Sequence, residues 1–424
     1  MEVQIARGGP YVHVMDFEWD HPLESWNDPR LVRMARGPSR HVVRFVELEG
    51  RVLAIKEIGD RLAKREYTVL REMLDADIPA VEPICTVTER RDPRGEALPG
   101  AVVTRYLDFA LPYTYLLARE NGVEHQRRLT DAAAVLLVHL HLEGFWWGDC
   151  SLANILFRRD AGGLAAYLVD SETAEHHARL SDRQRETDLD IAVDNIAGGV
   201  ADLLAAGRLE AHTDPLDFAQ RLETRYRALW GELTVEEEFG ADQLWRLDER
   251  IARLNRLGFD ATELSVRAGE DRIRIRPSIV EEGHHSRRLR RLTGIEVQEN
   301  QARRLLNDLG SHRAAFERRE GRPLSEAIAA HRWLTESFEP FVSAIPGPLA
   351  ARLEPAEAYH QYLEHRWFLS EAAGRDVPDD VARRSFFDKV LSQRPEERVV
   401  LPDPTGELDL LALEEAEDPG DPVP

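Results

Sequence analysis

The chain has 424 residues, of which 43% are hydrophobic and 31% charged, a composition typical of a soluble globular protein with two or three domains. Its formal net charge of −22 would repel nucleic-acid phosphates and anionic membranes, which disfavours bulk binding to either. Two cysteines give no disulfide framework, and neither a signal-peptide pattern nor a run of about eighteen apolar residues occurs. These features predict a cytoplasmic protein without a membrane span.

The first clear pattern in the chain is a β-hairpin. Residues 1–36 are mixed, with a possible strand at Tyr11–Phe17. After them, two β-branched runs flank a Glu49-Gly50 turn, which predicts two antiparallel strands, and Lys56 lies near the end of the second. Arginine fills most basic positions of this chain, so a lysine is more informative than usual; the lysines are Lys56, Lys64 and Lys389.

An amphipathic helix is predicted next. Apolar residues recur at spacings of three and four from Asp60 to Leu74, with charged residues on the other face. Glu66 lies on this helix ten residues after Lys56, and Glu72 follows it on the same helix. Taken singly, either glutamate is most simply a solvated helix charge.

Two further strand-like runs, Ile84–Thr88 and Ala101–Tyr106, would complete a small sheet. Tyr106–Pro112 is then predicted to connect this sheet to a largely helical part. That part begins with a strongly apolar helix that ends at Glu143, immediately before the most distinctive stretch of the chain.

That stretch is residues 144–157, Gly-Phe-Trp-Trp-Gly-Asp-Cys-Ser-Leu-Ala-Asn-Ile-Leu-Phe. It places Asp149 and Asn154 five residues apart, directly before a strand-like run, and a second such run ends on Asp170. Phosphoryl transfer uses one carboxylate to orient the attacking hydroxyl, and a carboxylate with an amide oxygen to hold Mg²⁺ on the nucleotide phosphates. Two strands thus deliver the required side chains, although Asp-x4-Asn by itself is more often a turn cap.

The order Ala-Ile-Lys, Arg-Glu-Tyr, Gly-Asp-x4-Asn and Val-Asp resembles the protein-kinase-like superfamily. The Gly-Asp form is closer to lipopolysaccharide (Kdo/WaaP) kinases, Rio kinases and aminoglycoside phosphotransferases than to ordinary protein kinases. The resemblance implies a two-lobed fold that binds ATP and Mg²⁺. It assigns the catalytic base to Asp149 and the metal ligands to Asn154 and Asp170.

The same resemblance implies four further roles. Lys56 would contact the nucleotide phosphates, and Glu66 would pair with it, with Glu72 as the second candidate. Backbone groups of Tyr106–Pro112 would receive the adenine. Asp190, in the sequence Asp-Ile-Ala, would brace the catalytic loop as a structural support.

The sequence departs from the family pattern at four places. At the position expected for the Gly-rich phosphate loop, the chain has only Arg-Gly-Pro-Ser, residues 36–39. Trp147 occupies the position where His is usual. Ser171-Glu172 replace the Phe-Gly of protein kinases. The segment from Asp170 to Asp190 is too short for a protein-kinase activation segment, which favours a small-molecule or saccharide acceptor over a protein.

The second half of the chain is mostly amphipathic helix by its apolar spacing, including predicted helices at Asp217–Leu233 and Ala241–Leu257. The alternation from Glu263 to Arg276 predicts a two-stranded hairpin. From Gly283 onward, Gly-His-His-Ser-Arg-Arg-Leu-Arg-Arg-Leu-Thr-Gly resembles an uncharacterised bacterial domain that accompanies kinase-like domains. The resemblance extends over roughly residues 205–400.

Arginine is in local excess in this half. Such arginines are most often solvated or paired within the protein, but they could also bind a phosphorylated or acidic acceptor. Leu-Thr-Gly between two basic helices also allows a helix-turn-helix reading, although nucleic acid is the less favoured partner. The arginines assigned to an anionic acceptor are Arg287, Arg288, Arg290, Arg291, Arg303 and Arg304.

The sequence as a whole predicts an α+β protein with a two-lobed kinase-like domain and a mostly helical domain that contains a β-hairpin. The leading hypothesis is an ATP- and Mg²⁺-dependent phosphotransferase acting on an unidentified small-molecule, saccharide or protein hydroxyl. The alternative is a nucleotide-binding pseudokinase that acts through its helical half. The predicted segments are 1–36, 37–108 (N-lobe), 109–204 (C-lobe), 205–401 (helical domain) and 402–424 (disordered acidic tail).

Overall fold

A computed structural model describes most of the chain. The described residues form two compact units, one within Met1–Arg158 and Ala166–Tyr226 and the other within Arg159–Ala165 and Arg227–Arg398. The described ranges are 1–5, 11–34, 41–119, 123–209, 213–234, 237–239, 263–268, 273–278 and 284–398.

The first unit contains a six-stranded antiparallel sheet with the strand order β1-β5-β6-β4-β3-β2. The predicted hairpin of β3 and β4 is confirmed, and its turn has positive φ at Glu49 (53°) and Gly50 (76°), the conformation that two-residue hairpins favour. The strands are Glu2–Ile5 (β1), Leu31–Val32 (β2), Val43–Leu48 (β3), Arg51–Ile58 (β4), Pro83–Thr88 (β5) and Gly100–Arg105 (β6).

The N-terminal segment is part of this sheet and its core. β1 pairs with β5, and β2 pairs with β3. The predicted strand at Tyr11–Phe17 is wrong, because Tyr11–Asp16 forms a 3-10 helix that helps to bury Val14 and Phe17 in the sheet core. The indole Nε1 of Trp19 donates to the Val14 carbonyl at 2.8 Å, which satisfies a buried acceptor without a strand partner.

After the hairpin of β3 and β4, the chain continues with a helix and then, after β5 and β6, with the elements of the mostly helical part. The predicted helix after β4 is confirmed as α1, Asp60–Asp75, and buries Glu66, Tyr67 and Leu70 along one face. The elements that follow β6 are Leu111–Pro112 (β7), Tyr113–Arg119 (α2), Val123–Leu142 (α3), Phe145–Trp146 (β8), Ile155–Asp160 (β9), Gly163–Leu168 (β10), Glu175–His176 (β11), Asp182–Ala205 (α4) and Pro215–Thr234 (α5). Of these, β9, β10 and α5 have residues in both units.

Two small antiparallel β-sheets lie within this mostly helical part. β9 lies between β10 and β7 in a three-stranded sheet, and β8 pairs with β11. β9 begins directly after Asn154, and β10 ends two residues before Asp170. The β9–β10 hairpin is therefore the piece of chain that joins these two side chains.

The second unit is mostly helical, as predicted, and the alternating segment forms a strand pair extended by a third strand. Its core includes Trp333, Phe341, Tyr359, Tyr362 and Phe386. The elements are Glu237–Phe239 (β12), Glu263–Ala268 (β13), Ile273–Ser278 (β14), His284–Thr293 (α6), Glu299–Glu320 (α7), Glu326–Trp333 (α8), Glu339–Ser343 (α9), Pro355–Ala373 (α10) and Asp379–Lys389 (α11).

The predicted α+β class, a small sheet with helical parts, is confirmed. None of the helices in the described ranges is long and apolar enough to cross a membrane. The predicted helix at Ala241–Leu257 and the tail at 402–424 lie outside the described residues. The domain boundaries assigned from the sequence stay predictions.

Candidate active site

Lys56 lies on β4, and its ammonium contacts two carboxylates. Its Nζ is 2.9 Å from Oε2 of Glu66 on α1 and 3.0 Å from Oδ1 of Asp170 after β10. A charge-assisted hydrogen bond to Asp170 and an ion pair with Glu66 fix the position of the ammonium. Glu72, the second candidate, instead contacts His176 at 3.2 Å and is half-buried. The structure thus brings Lys56, Glu66 and Asp170 together from three separate segments.

Glu66 is 2% exposed, so its carboxylate has lost almost all its hydration. Burial raises the pKa of Glu66 to about 7, Lys56 opposes that rise, and Asp170 adds to it. The ionised form of Glu66 therefore depends on Lys56. A substitution of the lysine would leave a buried carboxyl group without its cation.

The carboxylate of Asp149 is held by two amide side chains. Asn154 donates from Nδ2 to Oδ2 (3.1 Å) and to the main-chain oxygen (3.0 Å) of Asp149, and Asn195 on α4 donates to Oδ1 at 3.2 Å. Because both partners of Asn154 Nδ2 are acceptors, the amide nitrogen must face Asp149. Its Oδ1, the atom able to bind a metal, has no hydrogen-bond partner within the described ranges.

The loop before Asp149 is held by Asp188, which the sequence reasoning missed. The backbone N–H groups of Trp147 and Gly148 donate to its two oxygens at 2.7 and 2.8 Å, and His141 Nε2 lies 3.0 Å from Oδ2. Gly148 has a φ of 75°, and a Cβ there would lie 2.6 Å from the ring of Trp146. Both the glycine and the buried carboxylate therefore define the conformation of this loop.

The assignment of the bracing role to Asp190 needs correction. Asp190 is exposed, whereas Asp188 is buried and faces the loop from the same helix, α4. Two positions along a helix differ by about 200° in direction, so both aspartates cannot face one loop. Asp188 and Asn195 are seven residues apart, two turns on one face, and this spacing is the signal that could have found them.

Trp147 fills the position where the related families usually carry His. It is fully buried, and its indole Nε1 donates to the main-chain oxygen of Asp170 at 3.2 Å. Thr173 Oγ1 donates in turn to the main-chain oxygen of Trp147 at 2.8 Å. The tryptophan thereby links the Asp149 loop to the Asp170 loop through packing and two hydrogen bonds.

Glu172 adds a carboxylate that the sequence reasoning noted only as a departure. Its Oε2 lies 2.9 Å from His41 Nε2 and 3.9 Å from Lys56 Nζ, and the residue is 9% exposed. Its backbone N–H donates to Asp170 Oδ1 at 3.2 Å. Glu172 therefore orients Asp170 and increases the negative charge around the single lysine of the site.

The negative charge of this region suits a divalent cation. Within the described ranges, no group of three or more His, Cys, Asp or Glu side chains is arranged to hold a metal by itself. Mg²⁺ commonly takes only one or two protein oxygens and completes its shell with water and substrate phosphates. The Oδ1 atom of Asn154 and the carboxylate of Asp170 are oxygen donors of this kind.

Two predicted nucleotide contacts, the phosphate loop and the adenine-binding connection, stay predictions. The phosphate-loop candidate at residues 36–39 lies outside the described residues. In the predicted connection Tyr106–Pro112, the backbone N–H of Tyr106 donates to the Val52 carbonyl at 2.9 Å, and the Tyr106 ring packs against Phe45 with centroids 5.5 Å apart. The connection therefore begins beside an apolar face of the sheet. That it receives adenine stays a prediction.

Most of the arginines assigned to an anionic acceptor have partners within the second unit. Arg288 pairs with Glu326 and Arg304 with Glu364. Arg290 likewise pairs with Glu296, and Arg303 donates a hydrogen bond to Asn300. Ion pairs at these exposed positions are weak and could be exchanged for a ligand, but they give no sign of a preformed anion site.

Two family models support the resemblance seen in the sequence. Residues 49–192 match the family model of the lipopolysaccharide kinase (Kdo/WaaP) family, and residues 228–391 match a domain of unknown function, DUF4032. A solved structure described as WaaP in complex with acyl carrier protein matches with a TM-score of 0.35 and 15% identity, covering 61% of this chain and 99% of that chain. No curated protein matches the sequence.

The first of these matches spans the lysine, both glutamates considered as its partner, and the Asp149, Asn154 and Asp170 positions. The second covers all of α6 to α11. The predicted resemblance is confirmed for both parts: residues 49–192 are similar to the lipopolysaccharide kinase (Kdo/WaaP) family, and residues 228–391 are similar to the DUF4032 domain.

Proposed function

We propose that this protein is an ATP- and Mg²⁺-dependent phosphotransferase that transfers the γ-phosphoryl group of ATP to a hydroxyl group. The observation that carries the proposal is the position of the Lys56 ammonium, within 3.0 Å of both Glu66 and Asp170. A lysine held in this way presents a fixed positive charge beside a carboxylate that can bind a metal. The family match supports a kinase-like activity in general terms.

The residues present fit a nucleotide with a divalent cation. Asn154 keeps its amide oxygen unpaired within the described ranges, and Asp170 offers its carboxylate, so these two residues would hold Mg²⁺. When bound, Mg²⁺ would neutralise charge on the phosphate oxygens. Lys56 would bind the phosphates, and Glu66 would keep its ammonium in place.

Asp149 is the proposed catalytic base. Its carboxylate is held by Asn154 and Asn195, so its direction is set before an acceptor arrives. It would accept a hydrogen bond from the acceptor hydroxyl and take up its proton as the new bond to phosphorus forms. Asp188 and Trp147 would keep the loop in position through their backbone and indole hydrogen bonds.

A small-molecule or saccharide hydroxyl is the favoured acceptor class. Eleven residues separate Asp170 from the first residue of α4, Asp182, and they contain only the two-residue strand β11. This segment offers little backbone on which a peptide acceptor could lie. A protein acceptor would need a docking surface elsewhere on the chain.

The second candidate is a nucleotide-binding pseudokinase that acts through its helical half. The observation in its favour is Glu172, whose carboxylate lies 3.9 Å from Lys56. Its negative charge would repel the nucleotide phosphates. In that case the protein would bind a nucleotide without consuming it.

The test compares three variants of the full chain. ATP with Mg²⁺ at a hundredfold excess over its dissociation constant should stabilise the wild-type protein by about 2.7 kcal/mol. Asp170→Asn should lose this thermal shift, because it removes the metal carboxylate. Asp149→Asn should retain it but lose about 10²- to 10⁴-fold in ATP consumption, because the base is absent.

Asp194→Asn, at an exposed position on α4, serves as the control and should behave as wild type in both measurements. A Mg²⁺-dependent shift without any turnover, unaffected by Asp149→Asn, would favour the pseudokinase. The absence of any shift with nucleotide would contradict both candidates.

A further inference from the structure

The β9–β10 hairpin connects the two proposed metal ligands, and buried hydrogen bonds fix its turn. Asn154 directly precedes β9, and Asp170 follows β10 by two residues. Residues 159–165, which include the turn, belong to the second compact unit, whereas the rest of the hairpin belongs to the first. The hairpin is thus a continuous piece of chain shared by both units.

Asp160 binds the N-terminus of α7. Its Oδ1 accepts the backbone N–H of Gln301 at 2.8 Å, and its Oδ2 accepts the backbone N–H (3.3 Å) and the side-chain Nδ2 (2.9 Å) of Asn300. The residue at the N-cap position of this helix, Gln298, makes no side-chain cap hydrogen bond. Asp160 therefore supplies from the hairpin the acceptor that a local capping residue ordinarily supplies.

Further bonds fix the backbone of the turn. Glu357 on α10 accepts the N–H of Ala161 at 3.1 Å and the Nε2 of Gln301 at 2.8 Å. The same Gln301 nitrogen donates to the Arg159 carbonyl at 2.9 Å. These groups are removed from solvent, since Gln301 is 0% and Glu357 2% exposed. A buried and satisfied network of this kind holds one conformation.

The third attachment comes from the end of the described chain. Arg159 donates from Nε to Oε1 of Glu397 at 2.7 Å, and Glu397 is 4% exposed. The backbone N–H groups of Glu397 and Arg398 both donate to the Ala351 carbonyl, at 3.0 and 2.9 Å. The segment that supplies Glu397 is therefore itself fixed within the second unit.

We propose that the hydrogen bonds of Asp160, Gln301 and Glu357 fix the β9–β10 hairpin and thereby position the metal-binding residues at its two ends. This inference rests on the proposed function, because it concerns the metal ligands of that site. Mg²⁺ requires near-octahedral geometry with bonds of about 2.0–2.1 Å, so a displacement of about half an ångström between its ligands weakens binding. Asp160 is a positioning residue in this scheme and touches no substrate.

The experiment measures binding of a non-hydrolysable ATP analogue to the full chain by calorimetry, with Mg²⁺ and separately with EDTA. Asp160→Ala should weaken binding about tenfold or more in Mg²⁺ and leave the weaker binding in EDTA unchanged, because only the metal ligands are displaced. Asp160→Asn keeps one acceptor oxygen and should lose less. These differences concern binding, so they do not depend on an acceptor.

Ser325→Ala is the matched control, because Ser325 caps a different helix, α8, by accepting the N–H of Ile328. It should lower the stability of the second unit without changing Mg²⁺-dependent binding. If Asp160→Ala does not fold, Glu357→Gln weakens the same hydrogen-bond network more gently and replaces it in the comparison.

The possible outcomes are distinct. If the wild-type protein shows no Mg²⁺-dependent binding, the proposed function fails and this inference fails with it. If the wild-type protein binds and the hairpin variants equal Ser325→Ala in Mg²⁺ and in EDTA, the proposed function stands and the positioning role is overturned. Selective loss in Mg²⁺ supports the positioning role.

Discussion

At the scale of single residues, the site depends on side chains that orient other side chains. Asp149 is held by Asn154 and Asn195, and the loop before it is held by Asp188. Each contact satisfies a backbone or amide donor in a partly buried environment, where an unpaired polar group costs about 1–3 kcal/mol. The conformation of the Asp149 loop is therefore set before any ligand binds.

Substitution of Asp188 should show this dependence. Asp188→Asn replaces one acceptor oxygen by an NH₂ donor, which then faces the backbone N–H of Trp147 or Gly148. Loss of that hydrogen bond should lower the free energy of unfolding by about 1–3 kcal/mol. We expect the proposed phosphoryl transfer to fall about 10- to 100-fold and the melting temperature to fall. Asp190→Asn, at an exposed position of the same helix, should change neither. A larger loss of turnover from Asp190→Asn would return the bracing role to that residue.

At the scale of elements, the sequence predicts most helices and strands but not the tertiary contacts that bury or cap them. The apolar spacing after β4 predicts α1 correctly, because one face of that helix packs against the sheet. The sequence predicts a strand at Tyr11–Phe17 because Val and aromatic residues favour strands, yet burial in the aromatic cluster decides the conformation, and Tyr11–Asp16 forms a 3-10 helix. α7 has no capping side chain at its own N-cap and takes its cap from Asp160.

The cap of α7 predicts a pH dependence. Burial raises the pKa of Asp160 to about 6 from 3.8, although hydrogen bonds from Gln301 and Asn300 lower it. A carboxyl group whose pKa is raised by folding stabilises the protein most below pH 3.8, and that contribution is lost as the pH rises through about 6. The unfolding free energy of the wild-type protein relative to Asp160→Asn should fall by about 2 kcal/mol between pH 4 and 7.

Denaturant titrations at several pH values, followed by tryptophan fluorescence, measure this difference. Ser325→Ala removes a cap that does not titrate, so the difference between this variant and the wild-type protein should be independent of pH. A flat difference for Asp160→Asn would show that the carboxyl group is no harder to ionise in the folded protein than in the unfolded chain.

At the scale of the whole molecule, charge and pairing disfavour nucleic acid as a partner. The net charge of −22 is repulsive, and Arg288, Arg290 and Arg304 each contact a glutamate of the second unit. A duplex would have to displace these pairs while approaching an acidic protein. The helix-turn-helix hypothesis gains no support from the contacts of α6 and α7.

Duplex binding should therefore be weak and insensitive to the arginines. We expect no saturable binding of a fluorescent DNA duplex by anisotropy, even at low salt, and the same result for a variant with Arg290→Gln and Arg291→Gln. Tight binding with a steep salt dependence that the double substitution removes would contradict this expectation and identify a nucleic-acid surface.

The sequence by itself predicted a kinase-like order of Lys56, Glu66, Asp149, Asn154 and Asp170, because each proposed role requires a particular residue type in a recognisable local context. It also determined the main strands and helices, since burial of one face imposes a short-range apolar period.

Only the tertiary structure decided which of several similar residues makes each contact. It selected Glu66 over Glu72 and Asp188 over Asp190, because helix rotation decides which carboxylate faces a loop or a lysine. It also revealed Glu172 beside Lys56 and joined Asp160 to α7. These contacts link residues far apart in the chain, and no local pattern records them, because their free energy arises only when folding removes both partners from water.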